Sequence, residues 1–265
     1  SDVYKRQIVG DPRRLWGAPR AHPTTLEICP FETRAHAPKP AAKPCDPHDS
    51  FVCEDCPVQR IVTAELDLDL GASIDLIFSL TASQQMPVVS ESLTFVQGDR
   101  VYTPTELVDH SGTRLHRLQS EPGELRVRYE ALVDGQGGQS RTSEMETITF
   151  LRPSRYCQSD EVFTQARRQF AGIEGVDLIH AVTRFVERSI TYTPGLSMGT
   201  DSAVTTLMTG QGVCRDYAHV VIALLRAMDV PARYAACYAP GLVPMDFHAV
   251  AEAYLCLLYT SDAAD

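Results

Sequence analysis

The chain has 265 residues, a formal net charge of −10 and a hydrophobic fraction of 44%, enough for one or two domains with a sizeable core. An acidic chain without clustered Lys and Arg is a poor match for nucleic acid or an anionic membrane. Its longest uninterrupted apolar run, Val220–Leu225, is far too short to cross a bilayer, and no basic patch followed by an apolar core marks a signal peptide.

The two ends read as foreign. Ser1–Gln7 (SDVYKRQ) is what TCAGATGTGTATAAGAGACAG encodes, and Cys256–Asp265 (CLLYTSDAAD) is encoded by nearly the reverse complement of the same DNA. Both are expected to be adapter-derived and are set aside from fold reasoning, with natural sequence continuing beyond Leu255. Ile8–Arg60 holds nine of the 17 prolines, four of the 8 cysteines and the only tryptophan, with no apolar period. Residues 1–60 are therefore expected to be adapter plus unstructured leader, with Val62 a candidate internal start. Cys53-x-x-Cys56, with Cys45, has zinc-compatible spacing, but no second pair follows at a usable distance, since His110 lies far off among strands. No metal and no cofactor is expected.

At Ile61 the texture changes. Val62, Ala64, Leu66, Leu68 and Leu70 alternate with polar residues, and Ile74, Leu76, Phe78 and Leu80 repeat the pattern after Gly71, the period of half-buried strands. Ser92–Val96 and Arg100–Tyr102 flank Gly98-Asp99 as a hairpin, and Leu115–Leu118 and Leu125–Val133 flank Pro122-Gly123. Glu146–Leu151 is expected as a last strand, so residues 61–152 form an antiparallel β domain.

Helices follow in residues 153–255. Ser159-Asp160-Glu161 predicts a cap and first turn for a helix to about Ala171. Val176, Ile179, Val182, Phe185 and Val186 recur at helical spacing. Tyr192-Thr193-Pro194-Gly195 is a turn, and Asp201 or Ser202 caps a short helix that Gly210 ends. Cys157, Cys214 and Cys237 are an odd, sparse set in this part of the chain, which suits a reducing, cytoplasmic setting better than a disulfide framework.

The chemistry is concentrated in Thr209–Leu255. Cys214 follows Gly210 and Gly212 and opens an apolar helical run through Met228. A thiol at a helix start meets unpaired N–H groups and the positive end of the dipole, which favour the thiolate a nucleophile needs. Asp229-Val230-Pro231 stops the helix, Ala232–Ala239 reads as a strand, and a second extended run, His248–Leu255, begins with a histidine. At five residues from Cys214, His219 is turned roughly 140° around the helix from the thiol, so it is read as structural. Asp216 suits the first turn as a cap or loop-fixing group; Glu252 and Asp246 are read as supporting or solvated.

This stretch resembles the transglutaminase-like superfamily of cysteine enzymes, related to papain-like peptidases. The resemblance rests on Gly210, Gly212, Val213, Cys214, Asp216, Ala218 and His219, then Leu225-Arg226, then Val230-Pro231-Ala232-Arg233-Tyr234, then His248, Ala249 and Glu252. Val250 departs from it, standing where the family often has tryptophan. The resemblance implies an α+β fold, an N-terminal antiparallel β domain followed by a transglutaminase-like cysteine-protease-type core; with 256–265 set aside as adapter tail on its DNA, that core is expected to be truncated at its C-terminal end. It implies Cys214 as nucleophile and His248 as general base and then proton donor to the leaving amine. It also implies an aspartate on a strand after His248, expected beyond Leu255, so this fragment is expected to be impaired. Tyr192 is a candidate phenol donor to the oxyanion.

The expected activity is thiol acyl transfer on peptide or glutamine-type amide bonds, hydrolysis favoured over cross-linking because no calcium-loop signature is present. The partner is then a protein or peptide substrate. The alternative is a non-catalytic protein-binding module retaining the fold, against which the intact Cys214 and His248 weigh.

Overall fold

A computed structural model describes residues 59–135, 137, 142–239, 246–255 and, for their backbone, 257–261. Cys45, Cys53 and Cys56 lie outside them. The chain divides into two units, with the boundary in sequence at 139/140.

In the first unit the period-2 alternation becomes two antiparallel sheets. The strands are β1 (Gln59–Leu70), β2 (Ile74–Phe78), β3 (Val88–Gln97), β4 (Arg100–Tyr102), β5 (Thr105–Val108), β6 (Arg114–Ser120) and β7 (Gly123–Asp134). Their orders are β1-β7-β3-β4 and β2-β6-β5. Gly98, at φ 57°, turns β3 into β4 as the sequence predicts. The Pro122-Gly123 turn does something else: it carries the chain from β6 in one sheet to β7 in the other, as Gly71 does between β1 and β2. Leu66, Leu68, Val127 and Phe95 of one sheet and Leu76, Phe78 and Leu118 of the other are buried. The rings of Phe78 and Phe95 meet at 5.2 Å, so the alternate apolar residues close one interior.

The expected strand at Glu146–Leu151 is instead helix α1 (Glu144–Leu151), grouped with the second unit. Thr147, Ile148 and Thr149 carry β-propensity, but Ser143 and Glu146 form a capping box. The Glu146 N–H donates to Ser143 Oγ at 3.1 Å and the Ser143 N–H to Glu146 Oε2 at 2.8 Å, and local hydrogen bonding at the helix start overrides a weak propensity.

The second unit continues with α2 (Phe163–Gln169), α3 (Gly175–Ser189), β8 (Thr191–Tyr192), α4 (Ala203–Thr209), β9 (Gln211–Gly212), α5 (Cys214–Ala227), β10 (Ala232–Cys237) and β11 (His248–Leu255). β12 (Leu257–Ser261) lies antiparallel beside β11. This stretch, set aside as a tail on sequence grounds, pairs there because an edge strand offers free N–H and C=O groups to any short β-prone segment. α2 starts after Asp160-Glu161, since residues 158–162 close on Gln158 O as a turn. Ser202 caps α4 and Gly210 ends it at φ 66°.

α5 is the centre of this unit. From Asp216 to Ala227 every residue is buried, the pattern of a helix surrounded on all sides. α2, α3 and α4 pack on it, as does the β10-β11 sheet, whose Ala232, Tyr234, Ala249, Ala251 and Ala253 join its core. The guanidinium of Arg226, buried near the end of α5, donates to Ala232 O and Arg152 O, both at 2.9 Å, which ties the helix to the strand that follows it. Among the described residues no helix is long and apolar enough to cross a membrane.

Candidate active site

Three short features set the position of Cys214. β8 and β9 pair in parallel, Thr191 N–H to Gly210 O at 2.8 Å and Thr193 N–H to Gly212 O at 2.9 Å, so the approach to the thiol is hydrogen-bonded backbone. The helix then starts at Cys214. Asp216, 1% exposed, turns back to accept the Val213 N–H at 2.8 Å, satisfying a donor just before the first turn. This contact explains Gly212: a Cβ there would lie 2.7 Å from Asp216 Cβ and 3.1 Å from its Oδ2.

The Cys214 Sγ–H donates to the backbone carbonyl of Phe247 at 3.7 Å. Phe247 is bonded to His248, the first residue of β11, and both Cys214 and His248 are buried. The fold therefore brings the start of the cysteine helix to Phe247, 33 residues on in sequence and just before the histidine strand.

The other motif residues lie around this point. His219 is packed between two rings, nearly parallel to Tyr156 (5.3 Å, 9°) and tilted on Tyr234 (5.4 Å). Tyr192, opposite Gly212 in the β8-β9 pair, has its ring tilted at 48° to that of Tyr217, 6.2 Å away. Burial first, then the charges of Cys214 and Asp246, hold its phenol above the ordinary range, so its hydroxyl is a donor through neutral pH. Burial likewise raises Tyr234 strongly. Glu252 is engaged by Arg233, its cross-strand partner, at 2.7 Å. Asp246 accepts the N–H of Phe247 at 2.7 Å.

Two neighbours escape sequence reading. Cys237 stands directly opposite His248 in the β10-β11 register, so the two share a sheet face; only strand pairing reveals it. Arg215 reaches back to the loop before α4, donating to Met198 O at 3.0 Å and to Ser197 Oγ. A partner 17 residues upstream leaves no periodic signal.

Residues 167–262 match the transglutaminase-like superfamily. Among solved structures the chain is similar to a candidate cysteine protease from Cytophaga hutchinsonii, with 30% identity over 79% of this chain and 78% of that one, at a TM-score of 0.68. A weaker likeness, 20% identity over 75% and 72% of the two chains at a TM-score of 0.41, is to the periplasmic domain of TgpA from Pseudomonas aeruginosa. An uncharacterized protein of Mycobacterium leprae is 27% identical over 135 residues; the match spans 51% of this chain and just under half, 46%, of that relative's length. The fold is mixed α+β, with an N-terminal antiparallel sheet region before its core. With that core and a 30%-identical relative matched over more than three quarters of both chains, this chain belongs to the transglutaminase-like superfamily.

Proposed function

We propose that the protein is a thiol acyl-transfer enzyme acting on peptide or glutamine-type amides, with Cys214 as nucleophile and His248 as its base, and with hydrolysis rather than cross-linking as the outcome. The observation that carries this reading is the contact of Cys214 Sγ with the carbonyl of the residue preceding His248. In the proposed cycle the Cys214 thiolate attacks the amide carbonyl. The S–C bond forms, and the C–N bond breaks as His248 returns the proton to the departing amine. Water then attacks the thioester, giving up its proton to His248, and the thiol is released with a carboxylic acid. Backbone N–H groups at the start of α5 and the Tyr192 hydroxyl are suited to the oxyanion.

The test separates the two motif histidines. His248→Ala is expected to reduce acyl-enzyme formation on a peptide thioester, read by intact mass, by on the order of 10³-fold or more, with the circular dichroism spectrum unchanged. His219→Ala removes a ring held between Tyr156 and Tyr234 and is expected to cost about 1–3 kcal/mol of stability while sparing most of the rate per folded molecule. Activity that survives loss of His248 and vanishes with His219 in a folded variant rejects the assignment.

A further inference from the structure

From the end of β8 into the loop before α4 the chain displays large apolar side chains to solvent: Tyr192 is 47% exposed, Leu196 67% and Met198 40%. A single exposed leucine needs no explanation. Three such side chains within seven residues, on a loop tied to the residues either side of a buried thiol, do need one. At one end the Thr193 N–H is bonded to Gly212 O, two residues before Cys214. In the middle Arg215, the residue after Cys214, holds Ser197 and Met198 O. Arg215 is itself steadied by Asp216 Oδ1 at 3.3 Å, the carboxylate that caps the cysteine helix. At the far end Asp201 Oδ2 accepts the Met198 N–H at 2.7 Å. Side chains this exposed are thus carried on a loop whose course is fixed by a backbone bond and by the side chains of Arg215 and Asp201. Tyr192 is paired with Gly212, two residues before Cys214, so the start of this apolar strip lies beside the segment that leads into the thiol.

We propose that Leu196 and Met198, with the ring of Tyr192, form a specificity subsite for an apolar side chain of the acyl donor, on the residue whose carbonyl Cys214 attacks. The inference rests on the acyl-transfer reading above and names its substrate class: amides following an apolar residue rather than a charged or amide-bearing one. The occupant follows from position, since a substrate that reaches the buried Cys214 Sγ must lie against the segment that leads into it. Because Arg215 orders the loop in advance, little conformational freedom is lost when an apolar group settles there. A second copy of the chain covering the same strip is the rival occupant.

The experiment compares two reagents on the full chain, N-acetyl-leucine chloromethyl ketone and its asparagine counterpart. Each alkylates by forming an S–C bond with loss of chloride, and the Cys214 rate is read by mass spectrometry and divided by the same protein's iodoacetamide rate. The leucine reagent is expected to be faster by about tenfold, and Leu196→Ser with Met198→Ser to bring the ratio below about twofold. A ratio near one in the parent, or a ratio that survives in the double variant, overturns the subsite. If iodoacetamide leaves Cys214 unmodified in the folded protein, the nucleophile assignment fails instead. Calorimetric binding of unreactive N-acetyl-leucine amide against the asparagine amide then decides the subsite by the same ratio. Sedimentation that shows a dimer abolished by the double variant, with no leucine preference, assigns the strip to a second copy and also overturns it.

Discussion

Gly212 and Asp216 occupy each other's space, and a methyl group between them has nowhere to go. Gly212→Ala places a Cβ 2.7 Å from Asp216 Cβ, so either the Val213 N–H loses its acceptor or the approach to Cys214 shifts. We expect a loss of about 1–3 kcal/mol by thermal denaturation, whereas Gly71→Ala, with nothing within 4 Å, stays within about 0.5 kcal/mol. The cysteines supply a second residue-scale prediction. Cys237 is half-buried, while Cys214 and Cys157 are buried. If access alone governed reactivity, Cys237 would react first; if the helix start activates the thiol, Cys214 does. Brief iodoacetamide treatment near neutral pH with peptide mass mapping is expected to show Cys214 modified first, and Cys157 or Cys237 reacting ahead of it refutes its role as nucleophile. The helix-start position of Cys214 was legible because Gly-x-Gly, a thiol and an apolar run are local signals. The strand partner of His248 was not, because register is settled by pairing across sequence.

At the scale of elements, a polar cluster joins the two sheets of the first unit. Arg114 on β6 bridges Glu91 on β3 at 2.8 Å and Glu106 on β5 at 2.6 Å, and Tyr129 on β7 donates to Glu91 at 3.0 Å. His116 is buried beside them, its Nε2 3.9 Å from Glu106. Burial pushes the His116 imidazole below its ordinary range, while hydrogen bonding to Arg114 holds Glu91 and Glu106 below theirs. All three bind protons more readily unfolded than folded, so their contributions to stability are lost as pH falls. The His116 share is complete above about pH 6.5, the ordinary histidine value, and fades below it; the carboxylate share is complete above about pH 4.5 and fades below that. The melting temperature of the β unit is thus expected to fall in two stages on acidification, and His116→Leu to remove the upper stage alone, as read by circular dichroism from pH 8 to 3. A single stage identical in the variant contradicts the assignment. The same scale holds α1, expected as a strand: Ser143-x-x-Glu146 is a helix-start signal beside the β-prone Thr147, Ile148 and Thr149, and the capping box it forms decides the element.

For the whole molecule, the two units have separate cores, one between sheets around Phe95 and one around α5. Phe95→Ala is expected to cost about 3–5 kcal/mol and Leu224→Ala about 2–5 kcal/mol. Hydrogen exchange should show the first lowering protection in β1–β7 and the second in α5, β10 and β11. An effect of either confined to the other unit's amides defeats this assignment of cores. The sequence by itself determined the succession of a β region and a helical core with Cys214 opening its central helix, because period, caps and turn residues act within a few positions of each other. Only the tertiary structure decided which strands share a sheet, that Cys237 faces the same way as His248, and that Arg215 fastens an apolar loop beside the thiol. These depend on which backbone groups and side chains meet after the chain has packed, and residues with no periodic relation in sequence acquire that relation only when the burial of α5 draws its neighbours around it.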